Sequence, residues 1–180
     1  MRFPWNRESR VWGKIEEISI NLSVLDKRLS ARVDQMSRRC RELFEQCVRS
    51  YQEGDPERAS VYASELSQLR KSLNTALKCQ LSLEAVIYRL ATVKDLGDVR
   101  VALQPVKGIV SRLGGEIHGV LPEVSSRVGE IQEMLNDVSL EIGTVEDGGF
   151  MSLEPAEEEA RRILAEAAEV ASRRKSSMSQ

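Results

Sequence analysis

The sequence predicts an all-α protein organised around one long antiparallel helical hairpin. Apolar residues recur at alternating spacings of three and four along two long runs, which lie before and after residues 52–58. This period is typical of helices that pack against each other along one seam. Aromatic residues make up 4% of the chain and charged residues 30%, which fits long helices better than an enzyme core.

The reversal between the two runs is predicted by three consecutive residues. Gly54 can adopt the left-handed conformation that ends a helix, Asp55 can cap the next helix, and Pro56 suits its first position. Two apolar stripes joined by so short a turn fold against each other, so we predict a hairpin over residues 13–96. At 1.5 Å per residue each arm is on the order of 60 Å long, too elongated for an ordinary globular core.

The charge of the chain changes sign along its length. Residues 1–50 carry a net charge of +4, residues 51–96 are neutral, and residues 97–142 and 143–180 each carry −3. A basic first helix followed by an acidic tail indicates an anionic partner for the first helix, or a tail that acts as an internal substitute for that partner. Nucleic acid is the disfavoured anion, because the basic excess is small and no nucleic-acid-binding motif is present.

Cations of the first helix gather on one edge of it. Five of them fall within roughly 40° of one another on the helical wheel. A stripe of one charge sign beside an apolar seam can be a simple solvated face, but it also suits an anionic lipid surface. We call these residues the basic stripe. They are Arg10, Lys14, Arg28, Arg32 and Arg39.

Residues 1–12 are predicted to form an amphipathic membrane-contact segment. Both tryptophans of the chain, Trp5 and Trp12, lie here, seven residues apart and roughly 100° away from the seam. They are therefore not expected to pack in the hairpin, and tryptophan beside arginine suits a lipid headgroup interface. A frayed terminus or packing on a neighbouring subunit is the alternative. With the basic stripe, the predicted membrane-binding residues are Phe3, Trp5, Arg7, Arg10, Trp12, Lys14, Arg28, Arg32 and Arg39.

Shorter helices are predicted over residues 97–142, beyond the second arm. Gly97 interrupts the periodic pattern, and Asp98 can cap the helix that follows. Gly114-Gly115 and Pro122 are expected to divide the stretch into two or three helices.

The end of the chain is predicted to be separate from the core, which spans residues 13–142. Residues 143–154 are rich in glycine and lose the helical period, which indicates a linker. Residues 155–180 form an acidic helix and tail with a thin apolar face, as expected of a tethered peptide that binds in a groove. A solvated tail remains the alternative.

The sequence contains no recognisable catalytic constellation. It has no glycine-rich phosphate loop, no nucleophile beside a histidine and no metal-ligand spacing, so we expect neither enzyme activity nor a metal or cofactor. The three cysteines are expected to be reduced thiols, with Cys40 and Cys47 on the apolar stripe. No stretch reads as a membrane span or a signal peptide, which predicts a cytoplasmic protein whose membrane contact is peripheral.

Four pieces of the sequence resemble the ESCRT-III proteins. Residues 54–65 match the pattern Gly-Asx-x-x-x-Ala-x-x-Tyr-Ala-x-Glu that opens the second helix of that family. Residues 80–98, Leu121-Pro122 and residues 130–136 are similar to the archaeal CdvB branch, the cell-division proteins. The resemblance covers roughly residues 10–142 and depends on the combination of these pieces.

The resemblance implies a five-helix fold in which shorter helices close over the hairpin or swing out. It implies a filament subunit that polymerises with itself and with paralogous subunits on anionic membrane. Such filaments constrict and cut membrane necks, which in an archaeon means cell division or vesicle budding. The protein would then act on the inner face of the cell membrane, at the division site.

A partner ATPase is implied by the same resemblance. The last helix of this family binds the MIT domain of a disassembling AAA ATPase through an acidic-x-x-Leu-x-x-Arg-Leu-x-x-Leu motif. Here isoleucine replaces the arginine and alanines replace two leucines. The positions that correspond are Glu157, Ala160, Leu164 and Ala167. The chain shows no Pro-rich second motif and no winged helix, as in a short-form paralogue.

Two other functions are compatible with the same predicted hairpin. A membrane-protecting scaffold of the phage-shock type would bind membranes without cutting them and would not need the MIT domain. A soluble coiled-coil adaptor would form neither filaments nor coated tubes on lipid.

Overall fold

The computed structural model describes residues 4–119, 121–143 and 154–177, with side chains described over 8–119, 121–143 and 158–175. Every element in these ranges is helical. The five helices are α1 (Pro4–Gln52), α2 (Pro56–Ala91), α3 (Leu96–His118), α4 (Pro122–Ile142) and α5 (Glu154–Ser177). Helices α1 to α4 form one compact unit, and α5 belongs to a second unit. The predicted all-α class is therefore confirmed.

The turn between α1 and α2 has the predicted chemistry. Gly54 adopts a positive φ of 77°, which a side chain would disfavour. The Asp55 carboxylate accepts a hydrogen bond of 2.9 Å from the backbone N–H of Arg58, and Pro56 occupies the first turn of α2. The chain therefore reverses at this point, and α2 packs along α1.

The hairpin is thicker at one end than at the other. Far from the turn, α3 packs on α2 and α4 packs on both α3 and α1, so four helices enclose one core. That core takes residues 11–36 of α1 and residues 76–90 of α2. Nearer the turn, a small separate cluster of Cys40, Leu43 and Leu66 joins the two arms. Helices α3 and α4 are thus folded back on the hairpin.

The break between α2 and α3 lies a few residues before the predicted one. Helix α2 ends at Ala91, and the N-cap of α3 is Asp95 rather than Asp98. The Asp95 carboxylate accepts from the N–H of Asp98 at 2.9 Å, while the Asp98 carboxylate accepts from the N–H of Lys94 at 3.0 Å. The prediction that Asp98 is the cap is wrong, because this reciprocal arrangement uses both aspartates.

The glycine pair does not divide α3. The helix continues through Gly114-Gly115 to His118, and the next break leaves Pro122 at the start of α4. Gly114 faces α4, since a Cβ there would lie 3.4 Å from Cγ1 of Val128, an ordinary van der Waals contact. Leu113 and Ile117 are buried on either side of the pair, and their packing offsets the low helix propensity of glycine.

Candidate membrane and partner surfaces

The N-terminal part of the predicted membrane surface lies partly outside the described residues. Phe3 is one such residue, and Trp5 and Arg7 belong to α1 with side chains outside the described set. Arg10 is exposed. Trp12 is half-buried and packs against the four-helix core. The expectation that Trp12 takes no part in packing is wrong, because an indole ring is large enough to fold over the edge of a core from an adjacent position on the wheel.

Helix α4 runs antiparallel along the edge of α1 that carries the basic stripe. Lys14 Nζ lies 3.1 Å from Glu141 Oε1, and Asn21 Nδ2 lies 3.7 Å from Met134 Sδ. Arg28 lies seven residues beyond Asn21 in α1 and lines a small notch together with Arg127 of α4. The residue numbers of these neighbours rise by seven along α1 and fall by seven along α4, as expected of two antiparallel helices. Sequence reasoning placed these cations on one edge but did not predict what lies beside it.

The residues of the basic stripe have different surroundings. Lys14 is only 33% exposed and its partner Glu141 only 23%, so this ion pair is part of the fold. Arg28, Arg32 and Arg39 are exposed. Arg32 donates to Gln35 at 2.7 Å, and Arg39 pairs with Glu42 at 3.2 Å, both within α1. The exposed arginines thus remain available to an anionic surface.

An acidic face runs along α4, and two of its members lie beside the basic stripe, Glu141 at Lys14 and Glu130 at Arg28. Its carboxylates fall within roughly 80° of one another on the wheel, away from the buried residues of α4. They are Glu123, Glu130, Glu133, Asp137 and Glu141. The end of α4 is further tied to α3, because the Arg100 guanidinium donates to the carbonyl oxygen of Ile142 at 3.2 Å. Helix α4 therefore supplies an anionic partner to the basic stripe from within the first unit.

A second acidic feature, which the sequence analysis did not single out, lies between α1 and α2. Asp26 is half-buried, and its Oδ1 atom is shielded from water without a hydrogen-bond partner. Burial raises the pKa of the Asp26 carboxyl above 3.8, and the neighbouring negative charge of Glu84 raises it further. An aspartate on the side of α1 that faces α2 was the only signal in the sequence.

Replacing Asp26 by asparagine is expected to stabilise the fold at neutral pH by roughly 0.5 kcal/mol, since a half-exposed charge is screened. A pKa raised in the folded state means that the charged form is penalised above that pKa. The penalty disappears as the pH falls toward the unfolded-state value near 3.8. Urea unfolding should therefore show a gain at about pH 7 that shrinks toward about pH 4. An equal gain in the free energy of unfolding at both pH values would contradict the raised pKa of Asp26.

Helix α5 exposes its apolar face along its described length. Ala160, Leu164 and Ala167 are all exposed, while the Glu157 side chain lies outside the described set. Its described ion pairs, Arg162 with Glu158 and Arg173 with Glu169, lie within the helix. Such a face can be received in the groove of a partner.

The described residues contain no group of three or more His, Cys, Asp or Glu side chains that could hold a metal ion. Among the helices they form, none is at once long and apolar enough to traverse a bilayer. Cys40 and Cys79 are buried free thiols, and Cys47 is half-buried. Burial raises the pKa of the Cys79 thiol, and nearby Glu116 adds to that effect, so this thiol is unreactive at neutral pH.

Comparison with known proteins gives two relatives in the archaeon Sulfolobus acidocaldarius. This chain is 39% identical over 151 residues to its cell division protein B1, an alignment that covers 82% of this chain and 68% of that protein. It is 34% identical over 157 residues to cell division protein B, covering 87% of this chain and 60% of that protein. No known family profile and no solved structure matches the chain.

A long hairpin with two shorter helices folded onto it is the architecture of an ESCRT-III-type protein. The two relatives align over most of the length of this chain, and together with this architecture they define its family. The chain belongs to the CdvB family of ESCRT-III-like proteins.

Proposed function

We propose that this protein is an ESCRT-III-like filament subunit that polymerises on anionic membrane and takes part in membrane constriction and scission. The process would be archaeal cell division or vesicle budding, in line with the names of its relatives. The observation that carries the proposal is the basic stripe of α1, a 49-residue helix whose arginines Arg28, Arg32 and Arg39 stay exposed. Cations repeated along a polymer bind an anionic surface through avidity.

The proposed mechanism is mechanical rather than catalytic. With α3 and α4 folded back, the structure corresponds to a closed subunit in which α4 lies along the basic stripe. Release of α4 would free Lys14 from Glu141 and move Glu130 away from Arg28. The membrane would then compete with α4 for the same edge. Assembly would proceed with copies of this chain and with paralogous subunits, on the inner face of the cell membrane.

Disassembly would be the role of a partner. We propose that α5 binds the MIT domain of an AAA ATPase through Leu164 and the alanines Ala160 and Ala167. The supporting observation is that these side chains are exposed in a helix that belongs to a separate unit. Because the leucines of the family motif are largely replaced by alanine here, the affinity would be low for a single subunit and useful only along a polymer.

The experiment is co-sedimentation with vesicles, followed by electron microscopy. The protein should pellet with vesicles containing anionic phospholipid but not with purely zwitterionic ones, and the bound fraction should fall as salt rises. Filaments or coated tubes should appear on the anionic vesicles. Equal binding to both vesicle types, or binding without any ordered assembly, would overturn the proposal.

The N-terminal contribution can be tested with Trp5→Ala. This change is expected to reduce the bound fraction by roughly threefold or more, because an interfacial indole contributes directly to lipid affinity. Trp5 is preferred to Trp12, whose ring packs on the core. The matched control is Tyr51→Ala, which removes an exposed aromatic ring at the end of α1. If both variants bind like the wild type, the N-terminal segment is not an anchor.

A further inference from the structure

The outer surface of α2 carries an apolar stripe that nothing in the described chain covers. Leu77, Leu81 and Tyr88 are spaced four and seven residues apart and are 39%, 66% and 73% exposed. They therefore lie within roughly 40° of one another, opposite the residues that α2 buries in the same stretch, from Ala76 to Leu90. Lone exposed apolar side chains are common on proteins, but an aligned set is typical of an interaction surface.

An anionic edge runs beside this stripe. Glu84 of α2 lies close enough to Asp26 of α1 for its negative charge to raise the pKa of the half-buried Asp26 carboxyl. Glu84 lies within roughly 60° of Leu81 on the wheel, and the α2 cations Lys78 and Arg89 lie more than about 100° from Glu84. We call Leu77, Leu81, Tyr88, Asp26 and Glu84 the outer hairpin face.

A different edge of α1 has the complementary chemistry. Ile20 and Val24 are 58% and 44% exposed, and Arg28 follows one turn later. Their spacing of four residues places all three on one slanted row. We call these three residues the α1 outer edge. It presents two apolar side chains and then a cation, whereas the outer hairpin face presents apolar side chains and then carboxylates.

The two surfaces also match in length. Along α1, Val24 and Ile20 lie about 6 and 12 Å from Arg28, at 1.5 Å per residue. Along α2, Leu81 and Leu77 lie about 4.5 and 10.5 Å from Glu84 on the same scale. A helix placed parallel to α2 could therefore set its cation beside the carboxylates and its apolar residues on the leucines.

We propose that the α1 outer edge of one copy docks on the outer hairpin face of a second copy, with Arg28 paired to Asp26 and Glu84. The inference rests on the proposed function and identifies a contact within the polymer, in which Arg28 serves the subunit contact while Arg32 and Arg39 stay exposed for the membrane. Because the two surfaces are different parts of the molecule, the contact is heterologous and can repeat without closing, as an open filament requires.

The test is a charge exchange measured without lipid, so that the predicted lipid contact of Arg28 plays no part. Asp26→Arg and Arg28→Glu are compared with the double variant in sedimentation and negative-stain microscopy. Each single change places like charges across the contact and should raise the concentration needed for assembly roughly tenfold, and the double variant should recover most of that loss. Leu81→Asp should weaken assembly as well, while Glu133→Arg, an exposed acid on α4, should not.

The outcomes separate the two proposals. Wild-type filaments that are insensitive to both single changes, or a double variant no better than the weaker single one, would overturn this contact and leave the filament function standing. If the wild type forms no assembly with or without anionic vesicles, the filament function and this contact both fall. Circular dichroism of each variant confirms that the helices are intact.

Discussion

Replacing Leu83 by alanine is expected to lower the free energy of unfolding by about 2–5 kcal/mol. Leu83 is fully buried where α2 meets the four-helix core. Truncation removes the transfer free energy of the side chain and leaves a cavity that neighbouring helices fill only in part. Urea unfolding followed by tryptophan fluorescence measures the loss, because both tryptophans lie in α1.

The matched control is Leu81→Ala, two residues away on the same helix. Leu81 is 66% exposed, so this change should alter the free energy of unfolding by no more than about 0.5 kcal/mol. The pair separates burial from composition, since both variants lose the same atoms and have the same helix propensity. Equal losses at the two positions would mean that α2 is rotated relative to the structure described.

The turn could be predicted because its determinants are local. The positive φ at Gly54, the cap at Asp55 and the proline that follows all act within four residues, and no distant contact has to be known. The buried stripe of α1 was equally accessible, because a helix fixes which residues share a face. These features set the hairpin, and the remaining helices of the first unit pack against it.

Other boundaries depend on choices that local sequence does not decide. Asp95 and Asp98 can each cap a helix, and in the structure Asp95 accepts from the N–H of Asp98 while Asp98 accepts from the N–H of Lys94. Gly114-Gly115 lowers helix propensity, but the packing of Leu113 and Ile117 keeps α3 continuous. In both cases a tertiary or reciprocal contact outweighs the local signal.

The surroundings of the basic stripe were the least predictable part of the surface. The wheel grouped its cations correctly on one edge, but the partner of Lys14 is 127 residues away in sequence. Only the antiparallel path of α4 places Glu141 there. The charge gradient directed attention to the acidic tail as the internal anion, although the 97–142 segment, which includes Glu141, is equally acidic.

Replacing Glu141 by lysine is expected to release α4 from α1. The change turns the 3.1 Å ion pair into a contact between like charges that are both partly buried, and it leaves every cation of α1 in place. Hydrogen exchange of the α4 amides should accelerate roughly tenfold or more, while the amides of the buried seam between α1 and α2 stay protected. Binding to anionic vesicles should rise several-fold, because the edge of α1 no longer faces α4.

Two further variants distinguish release from a simple gain of positive charge. Glu133→Lys adds the same charge to an exposed site on α4 and should leave hydrogen exchange unchanged. The exchange of both partners, Lys14→Glu with Glu141→Lys, restores opposite charges at the contact and should return α4 to wild-type protection. If Glu133→Lys increases vesicle binding as much as Glu141→Lys does, net charge explains the effect. If only Glu141→Lys increases vesicle binding, the membrane and α4 compete for the same edge of α1.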